Sequence, residues 1–245
     1  HLGRQLTRLH ETPRPVGRTD HMGIRPEKHP GRYYIGFPIL VGLLSGEQLV
    51  AIAELAERFG RDIRLTRQQN LILSGVAEED VDRVVQGMKA LGVPLDVNPI
   101  RGRSIACTGN PHCNFAVGDT KPRLARLLEH LEARFGEAVQ DLHIYLDGCP
   151  HACGQHWVGD IGIQGTTIQT PAGKIQAYDV LLRGSLGAEP AIGRPVARRV
   201  PSAELDAYVE RLVAAYLRQR QPGQTMAQFC AGYTDEELLA IMEGR

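Results

Sequence analysis

The sequence predicts an α+β fold in two parts, a β-α-β-β-α unit over residues 33–99 and a mixed α/β region over residues 100–245. Three observations carry this. Apolar residues switch repeatedly between the two-residue spacing of strands and the helical spacing of about 3.6 residues. The helical stretches open on capping signals and close on glycine. Two tight cysteine pairs lie in Gly- and Pro-containing loops of the second region, one of them directly after an apolar strand.

Residues 1–32 carry Pro13, Pro15, Gly17, Gly23, Pro26, Pro30 and Gly31 without a sustained period and read as an irregular connector. A chain that begins at His1 rather than Met reads as having lost its natural N-terminus or as following something upstream. Residues 33–41 read as a buried strand, with Pro38 putting it at an edge or a bulge. Ser45-Gly-Glu-Gln48 is a capping box, and Leu49, Ile52, Leu55, Ala56 and Phe59 follow at helical spacing as far as Gly60. Residues 62–66 alternate, Ile63 and Leu65 against Arg64 and Thr66, and Leu71-Ile-Leu73 follows a bend at Gln68-Gln-Asn70. Two short strands therefore flank a polar corner. Val81, Val84, Val85, Met88 and Leu91 give a second amphipathic helix, ended by Gly92. A β-α-β-β-α order is half of a ferredoxin-like layer pair, and it leaves a sheet edge to be paired by a similar half-unit from elsewhere.

Beyond Pro99 come the first cysteine pair and a helix on Leu124, Leu127, Leu128, Leu131 and Phe135. A strand at 142–146 then runs into the second cysteine pair. Further strands are expected at 158–164 and 175–182. A long helix capped by Ser202 carries Leu205, Val209, Leu212, Val213 and Tyr216 on one face, and Thr234-Asp-Glu-Glu237 caps a last short one.

Lys and Arg number 28 and balance 28 Asp and Glu, so the chain has no electrostatic footprint for nucleic acid or an anionic membrane surface. No run approaches the roughly 18 apolar residues a membrane helix needs, since the best candidate, residues 35–44, is broken by Gly36, Pro38 and Gly42. Neither nucleic acid nor membrane is an expected partner.

Four of the five cysteines fall in two groups, Cys107-Thr-Gly-Asn-Pro-His-Cys113 and Gly148-Cys-Pro-His-Ala-Cys153. In a chain with enough apolar residues to fold without staples, such pairs point to metal binding or redox chemistry rather than to a disulfide framework. Loops let four sulfurs converge on one soft centre. The C-x5-C spacing departs from usual zinc pairs, and a four-iron cluster fits best. A zinc site using His112 or His151, and buried cysteines without a ligand, are the other readings. Cys230 reads as a buried thiol and Trp157 as packing. His21, His29, His130, His143 and His156 show no ligand spacing.

Cys-Thr-Gly-x-x-x-Cys with Asp119-Thr-Lys121, and Gly-Cys-Pro-x-x-Cys-x-Gln155 with Gly159-Asp-Ile-Gly162 and Gly165, resemble the motifs of the assimilatory nitrite and sulfite reductase family. Asp20-His-Met-Gly-Ile24 and Arg64-Leu-Thr-Arg-Gln-Gln-Asn-Leu71 resemble that family's second half-repeat. The resemblance runs from about residue 20 to near the C-terminus and is nearest to the ferredoxin-type nitrite reductases, through the Cys-Thr-Gly form.

The resemblance implies a second domain that binds sirohaem and a [4Fe-4S] cluster. Cys107, Cys113, Cys149 and Cys153 match the cluster ligands, and Cys153 also matches the axial ligand of the sirohaem iron. It implies six-electron reduction of nitrite to ammonia or of sulfite to sulfide, fed by ferredoxin or a similar one-electron donor; a non-catalytic electron-transfer subunit is the rival. Arg64, Thr66, Arg67, Gln69 and Asn70 have the chemistry to bind sirohaem carboxylates, or they form a solvated polar turn. His151-Ala152 stands where many relatives have Asn-Ser, and a histidine there could alter hydrogen bonding to sulfur. Full-size relatives carry two half-repeats and draw most substrate-binding Arg and Lys from the first, which is not in this sequence. A fragment, a small reductase completed by a second copy, and a subunit awaiting a partner all fit. An oxygen-sensitive cluster suits a reducing compartment, the cytoplasm of a bacterium or a plant plastid.

Overall fold

The computed structural model describes residues 20–186 and 189–245. Most of the expected connector, residues 1–19, lies outside the described residues, and the remainder differs from the expectation. Gly23–Pro26 is a strand, β1, paired antiparallel with β2 (Arg32–Phe37). Glycine and proline hide it in the sequence, but at a sheet edge, and at the last position of the strand, a proline removes no ladder hydrogen bond.

Pro38 ends β2 four residues short of the expected limit, and the chain passes through a single 3-10 turn at Leu40–Gly42 into α1 (Gly46–Phe59). The capping box at its start is present: Ser45 accepts from the Gln48 amide at 3.2 Å, and Gln48 accepts from the Ser45 amide at 2.8 Å. Strands β3 (Asp62–Leu65) and β4 (Leu71–Ala77) follow, then α2 (Val81–Ala90). The sheet order is β1-β2-β4-β3, antiparallel throughout. Ile35, Phe37, Leu71 and Leu73 pack against Ile52 and Ala56 of α1 and Val84 and Met88 of α2. At the β3 edge all four residues are exposed, and Leu65 keeps 82% of its surface.

A short α3 (Ile100–Arg103) leads to β5 (Ile105–Ala106), α4 (Thr120–Phe135) and β6 (Ile144–Asp147). Strands β7 (Ile161–Thr170), β8 (Gly173–Leu182) and β9 (Arg194–Pro201) complete a five-stranded sheet in chain order. Its first three strands are parallel and its last two antiparallel. β5 and β9 were not expected: one is two residues long, and the other carries arginines and two prolines in place of an alternating pattern. The long helix α5 (Leu205–Gln219) begins after Glu204 with no side-chain cap, so Ser202 does not cap it. α6 (Met226–Ala231) and α7 (Asp235–Glu243) each open on a full capping box, at Thr225 and Thr234. Leu124, Leu127, Leu128 and Leu131 of α4 join Leu146, Ile163 and Val180 of the sheet and the apolar faces of α5 and α7 in one core. No helix among the described residues is long and apolar enough to cross a membrane.

Parallel neighbours need a crossover of about a dozen residues or more. Between β5 and β6 the crossover contains α4. Between β6 and β7 it is residues 148–160, a loop with only a 3-10 turn at His156–Val158. That loop carries the second cysteine pair.

The two sheets are tied through Asp20 and Arg103, whose carboxylate and guanidinium meet at 2.9 Å; Arg103 also reaches Asp141 at 2.8 Å and the Gln140 carbonyl at 2.6 Å. Burial works to raise the Asp20 carboxyl, but the Met22 amide and Arg103 together hold it below its ordinary value. A carboxylate depressed on folding stabilises above its unfolded pKa, about 3.9, and that contribution disappears as the pH falls through the lower folded value. Asp20→Asn should therefore cost about 1 kcal/mol near neutral pH. Urea midpoints across the pH range should show that cost beginning to shrink near about pH 4 and disappearing as the pH falls further, through the lower folded value.

Candidate metal centre

β5 and β6 are adjacent and parallel, with Ala106 opposite Leu146, so both strands deliver their next residues to the same end of the sheet. Ligands gather at the carboxyl ends of such strands. Cys107 follows β5 directly and its amide donates to the Leu146 carbonyl at 3.0 Å. Cys149 is the second residue after β6, and the Gly148 amide between them donates to the Cys107 sulfur at 3.2 Å. The loop holding Cys113 folds back over this end, the Val117 amide donating to the Gly148 carbonyl at 2.9 Å.

All four cysteines are free thiols. Cys107 and Cys149 are buried, Cys113 is half-buried and Cys153 is exposed. The Cys153 thiol is raised above its ordinary value, first by desolvation and then by the negative charges of Asp147, Cys107, Cys149 and Cys113. The four sulfurs therefore share one electrostatic neighbourhood, and in thiolate form they repel one another until a cation joins them. No three of the described His, Cys, Asp and Glu side chains gather closely enough for a single metal ion. A cluster with an iron at each of four corners asks instead for four sulfurs spread around a larger body, and this donor set fits it.

A helix N-terminus, a lysine and a histidine lie around the cysteine loops. α4 begins beside Cys107, whose sulfur lies 3.6 Å from Thr120 Oγ1, so the positive end of that helix faces the site. Lys121 donates to the Val41 carbonyl, and desolvation lowers its pKa. His151 Nδ1 sits 3.7 Å from the Cys149 sulfur, and its ring meets Phe115 edge-on at 5.0 Å. Gly165 of β7 closes against the loop, where an added Cβ would lie 2.8 Å from the Gly148 carbonyl oxygen.

The five corner residues divide. Arg64 is exposed and paired at two points with Asp62, both contacts at 3.2 Å. Arg67 is exposed and donates to Gln155 Oε1 at 2.7 Å, two residues from Cys153. Thr66 Oγ1 accepts from the Asn70 amide at 3.0 Å. Asn70 is buried, its oxygen taking the Ile39 amide at 3.0 Å and its nitrogen giving to the Gly102 carbonyl at 2.6 Å, so both side-chain atoms brace backbone. Gln69 donates to the Ala106 carbonyl at 2.9 Å, one residue before Cys107, while its Oε1 is buried without a hydrogen-bond partner among the described residues. The corner thus reaches the cysteine loops from the other sheet. Its two guanidinium groups have the exposure and chemistry for a cofactor's carboxylates.

Sequence reasoning missed Asp147 and His156. Asp147 is 1% exposed and His156 fully buried, with His156 Nδ1 2.8 Å from an Asp147 oxygen. The signal available was an acidic residue ending the apolar run Ile144-Tyr-Leu146. Cys230, far from the site, is a core thiol that burial pushes up to about 12.

Residues 25–91 match a family model described as the nitrite/sulfite reductase ferredoxin-like half domain, and residues 101–239 match the nitrite and sulphite reductase 4Fe-4S domain. The chain is 34% identical over 220 residues to an assimilatory ferredoxin-dependent nitrite reductase of Haloferax mediterranei, covering 89% of this chain and 37% of that protein. A sulfite reductase [ferredoxin] of Mycolicibacterium paratuberculosis is 34% identical over 234 residues, covering 92% of this chain and 42% of the relative. The solved structure of the Mycobacterium tuberculosis NirA protein superposes with a TM-score of 0.85 at 30% identity, across 93% of this chain and 43% of that one. The chain spans less than half the length of these relatives.

Gly165→Ala would push a methyl group into the Gly148 backbone. It should lower unfolding free energy by about 1–3 kcal/mol and reduce the iron bound per chain, read by denaturant midpoints and metal analysis. Unchanged values for both would mean that the loop does not rest on Gly165.

Proposed function

We propose a function from one premise: this chain belongs to the nitrite and sulfite reductase family. In this reading Cys107, Cys113, Cys149 and Cys153 hold a four-iron cluster and Cys153 also serves a sirohaem. With them the protein would reduce nitrite to ammonia with six electrons, one at a time, from ferredoxin or a similar donor. The observation that carries the reading is the meeting of the two cysteine loops at the carboxyl ends of β5 and β6, where the Gly148 amide donates to the Cys107 sulfur at 3.2 Å and the loop of Cys113 returns to the Gly148 carbonyl through the Val117 amide at 2.9 Å.

Bound there, the two groups supply a one-electron relay and a metal that takes the anion. The chain's own residues hold and orient. Cys107 and Cys149 grip from the buried side, while exposed Cys153 offers its sulfur outward. Arg64 and Arg67 supply guanidinium forks for carboxylates, and Asn70 and Gln69 fix the corner that carries them. The remaining substrate-binding cations would come from a preceding half-repeat or from a second copy that completes the sheet. The partition we propose ends the half-domain at 99 and gives 100–245 to the cofactor domain, with β1 (Gly23–Pro26) belonging to the half-domain rather than to the connector expected over 1–32.

Nitrite is supported by the Cys-Thr-Gly form of the first motif. Sulfite is the second reading, because a relative named as a sulfite reductase matches at the same 34% identity as one named as a nitrite reductase. Turnover of each anion with reduced ferredoxin separates them.

The anaerobically purified protein should show a Soret band with a red-region band and about five irons per chain, four from the cluster and one from the haem. Cys153→Ser should remove haem and cluster signals together and lower turnover by more than about 100-fold. Zinc without iron, or cluster iron with no tetrapyrrole in the wild-type protein, would contradict the reductase reading.

A further inference from the structure

The crossover between β6 and β7 is tied down by two carboxylates in nearly the same way. At its far end Asp160 Oδ2 accepts from the backbone amide and Nδ1 of His143, both at 2.9 Å, and so joins the start of β7 to the start of β6. At its near end Asp147 Oδ2 accepts from the backbone amide of His156 at 3.2 Å and from its Nδ1 at 2.8 Å. The other Asp147 oxygen accepts from the Gly154 amide at 2.5 Å. Three N–H groups thus converge on one buried carboxylate.

The positions of those donors matter. Gly154 and His156 are the first and third residues after Cys153, and Asp147 lies two residues before Cys149, so the carboxylate closes the loop that carries both cysteines. An added Cβ on Gly154 would lie 3.0 Å from Asp147 Oδ1 and 3.2 Å from the Cys107 amide, which leaves no slack between carboxylate, loop and first cysteine. The loop takes left-handed turns at Ala152 (φ 57°) and Gln155 (φ 64°), on either side of the last cysteine. A non-glycine residue holds that conformation only where its surroundings enforce it. Within 152–156 the Asp147 bonds are side-chain restraints reaching the backbone itself, and the His156 ring lies 4.9 Å from that of Trp157, tilted by 34°.

We infer that Asp147 is the positioning residue of the last cysteine: it anchors the Gly154 and His156 amides to the end of β6, and it keeps a buried negative charge beside Cys153 that lowers the reduction potential of the cluster. This rests on the cluster reading above and deepens it. A fixed carboxylate stabilises the oxidised, less negative form of a neighbouring group, and reduction potentials of such clusters respond to net charge and hydrogen bonding close to the sulfurs.

Asp147→Asn removes the charge and leaves one acceptor oxygen where two are needed. Asp160→Asn is the matched control, since it breaks the equivalent His–Asp tie at the other end of the crossover. Both proteins are titrated anaerobically, with the reduced cluster followed by electron paramagnetic resonance. The expected result is a midpoint shifted to more positive potential with altered g-values in Asp147→Asn, and wild-type midpoint and g-values in Asp160→Asn despite a lowered melting temperature. A wild-type midpoint in Asp147→Asn, or an equal shift in both variants, overturns the inference. If Asp147→Asn does not accumulate folded, hydrogen exchange in the wild-type protein decides. Slow exchange at the Gly154 and His156 amides supports the tie, and exchange as fast as in an open loop overturns it. A wild-type protein without cluster iron overturns the cluster reading and this inference with it, whereas a loaded wild type beside an unaffected variant overturns the inference alone.

Discussion

The parallel pairing of β5 with β6 is the constraint on which the rest of the site depends, because it sets Cys107 beside the Gly148 amide, at 3.2 Å, and the second cysteine loop. Cys107 and Cys149 are brought together by strand pairing, Ala106 opposite Leu146, before any side chain contributes. Once ionised, four thiols in one neighbourhood are unfavourable without a cation. In the reading proposed above the four cysteines receive a metal centre with sulfur ligands, and the local structure holds their loops in shape.

The means are ordinary elements of an α/β sheet. α4 bridges β5 and β6 and brings its positive end to Cys107. The next crossover dispenses with an α-helix, which frees residues 148–160 to carry cysteines in a loop, and the loop is fixed by backbone contacts at Gly165 and by the Asp147 and Asp160 ties. The first sheet is a separate layer whose polar corner arrives from outside, through Gln69 on the Ala106 carbonyl and Arg67 on Gln155. Coupling between the two layers runs beside the cysteine loops through these bonds, and also through Asn70 on the Gly102 carbonyl and Lys121 on the Val41 carbonyl. Asp20 and Arg103 add a second tie away from them.

The parts legible in the sequence are those whose physics is local. The Ser45 and Thr234 capping boxes, the periods of α1, α2 and α4, and the paired spacing of Cys107 with Cys113 and Cys149 with Cys153 all depend on residues a few positions apart. Elements defined by their neighbours were not legible. β5 is a two-residue strand that exists because Tyr145 and Leu146 lie beside it. β9 is arginine-rich because only part of it faces the core. At the site, Asn70 and Arg67 are polar residues of one bend, yet one is a buried brace and the other an exposed donor; the bend geometry decides, and periodicity does not encode it. Asp147 and His156 are nine residues apart in a stretch with no period, and only the folded crossover puts them in contact.

The most direct test of the account is a Mössbauer spectrum of the anaerobically purified, iron-enriched protein, read together with acid-labile sulfide per chain. The account predicts sulfur-coordinated iron and labile sulfide in equal amounts, about four of each, with the sulfur-ligated signal lost when the two cysteine pairs are replaced by serine. Iron absent from the wild-type protein, or present without labile sulfide, would contradict it.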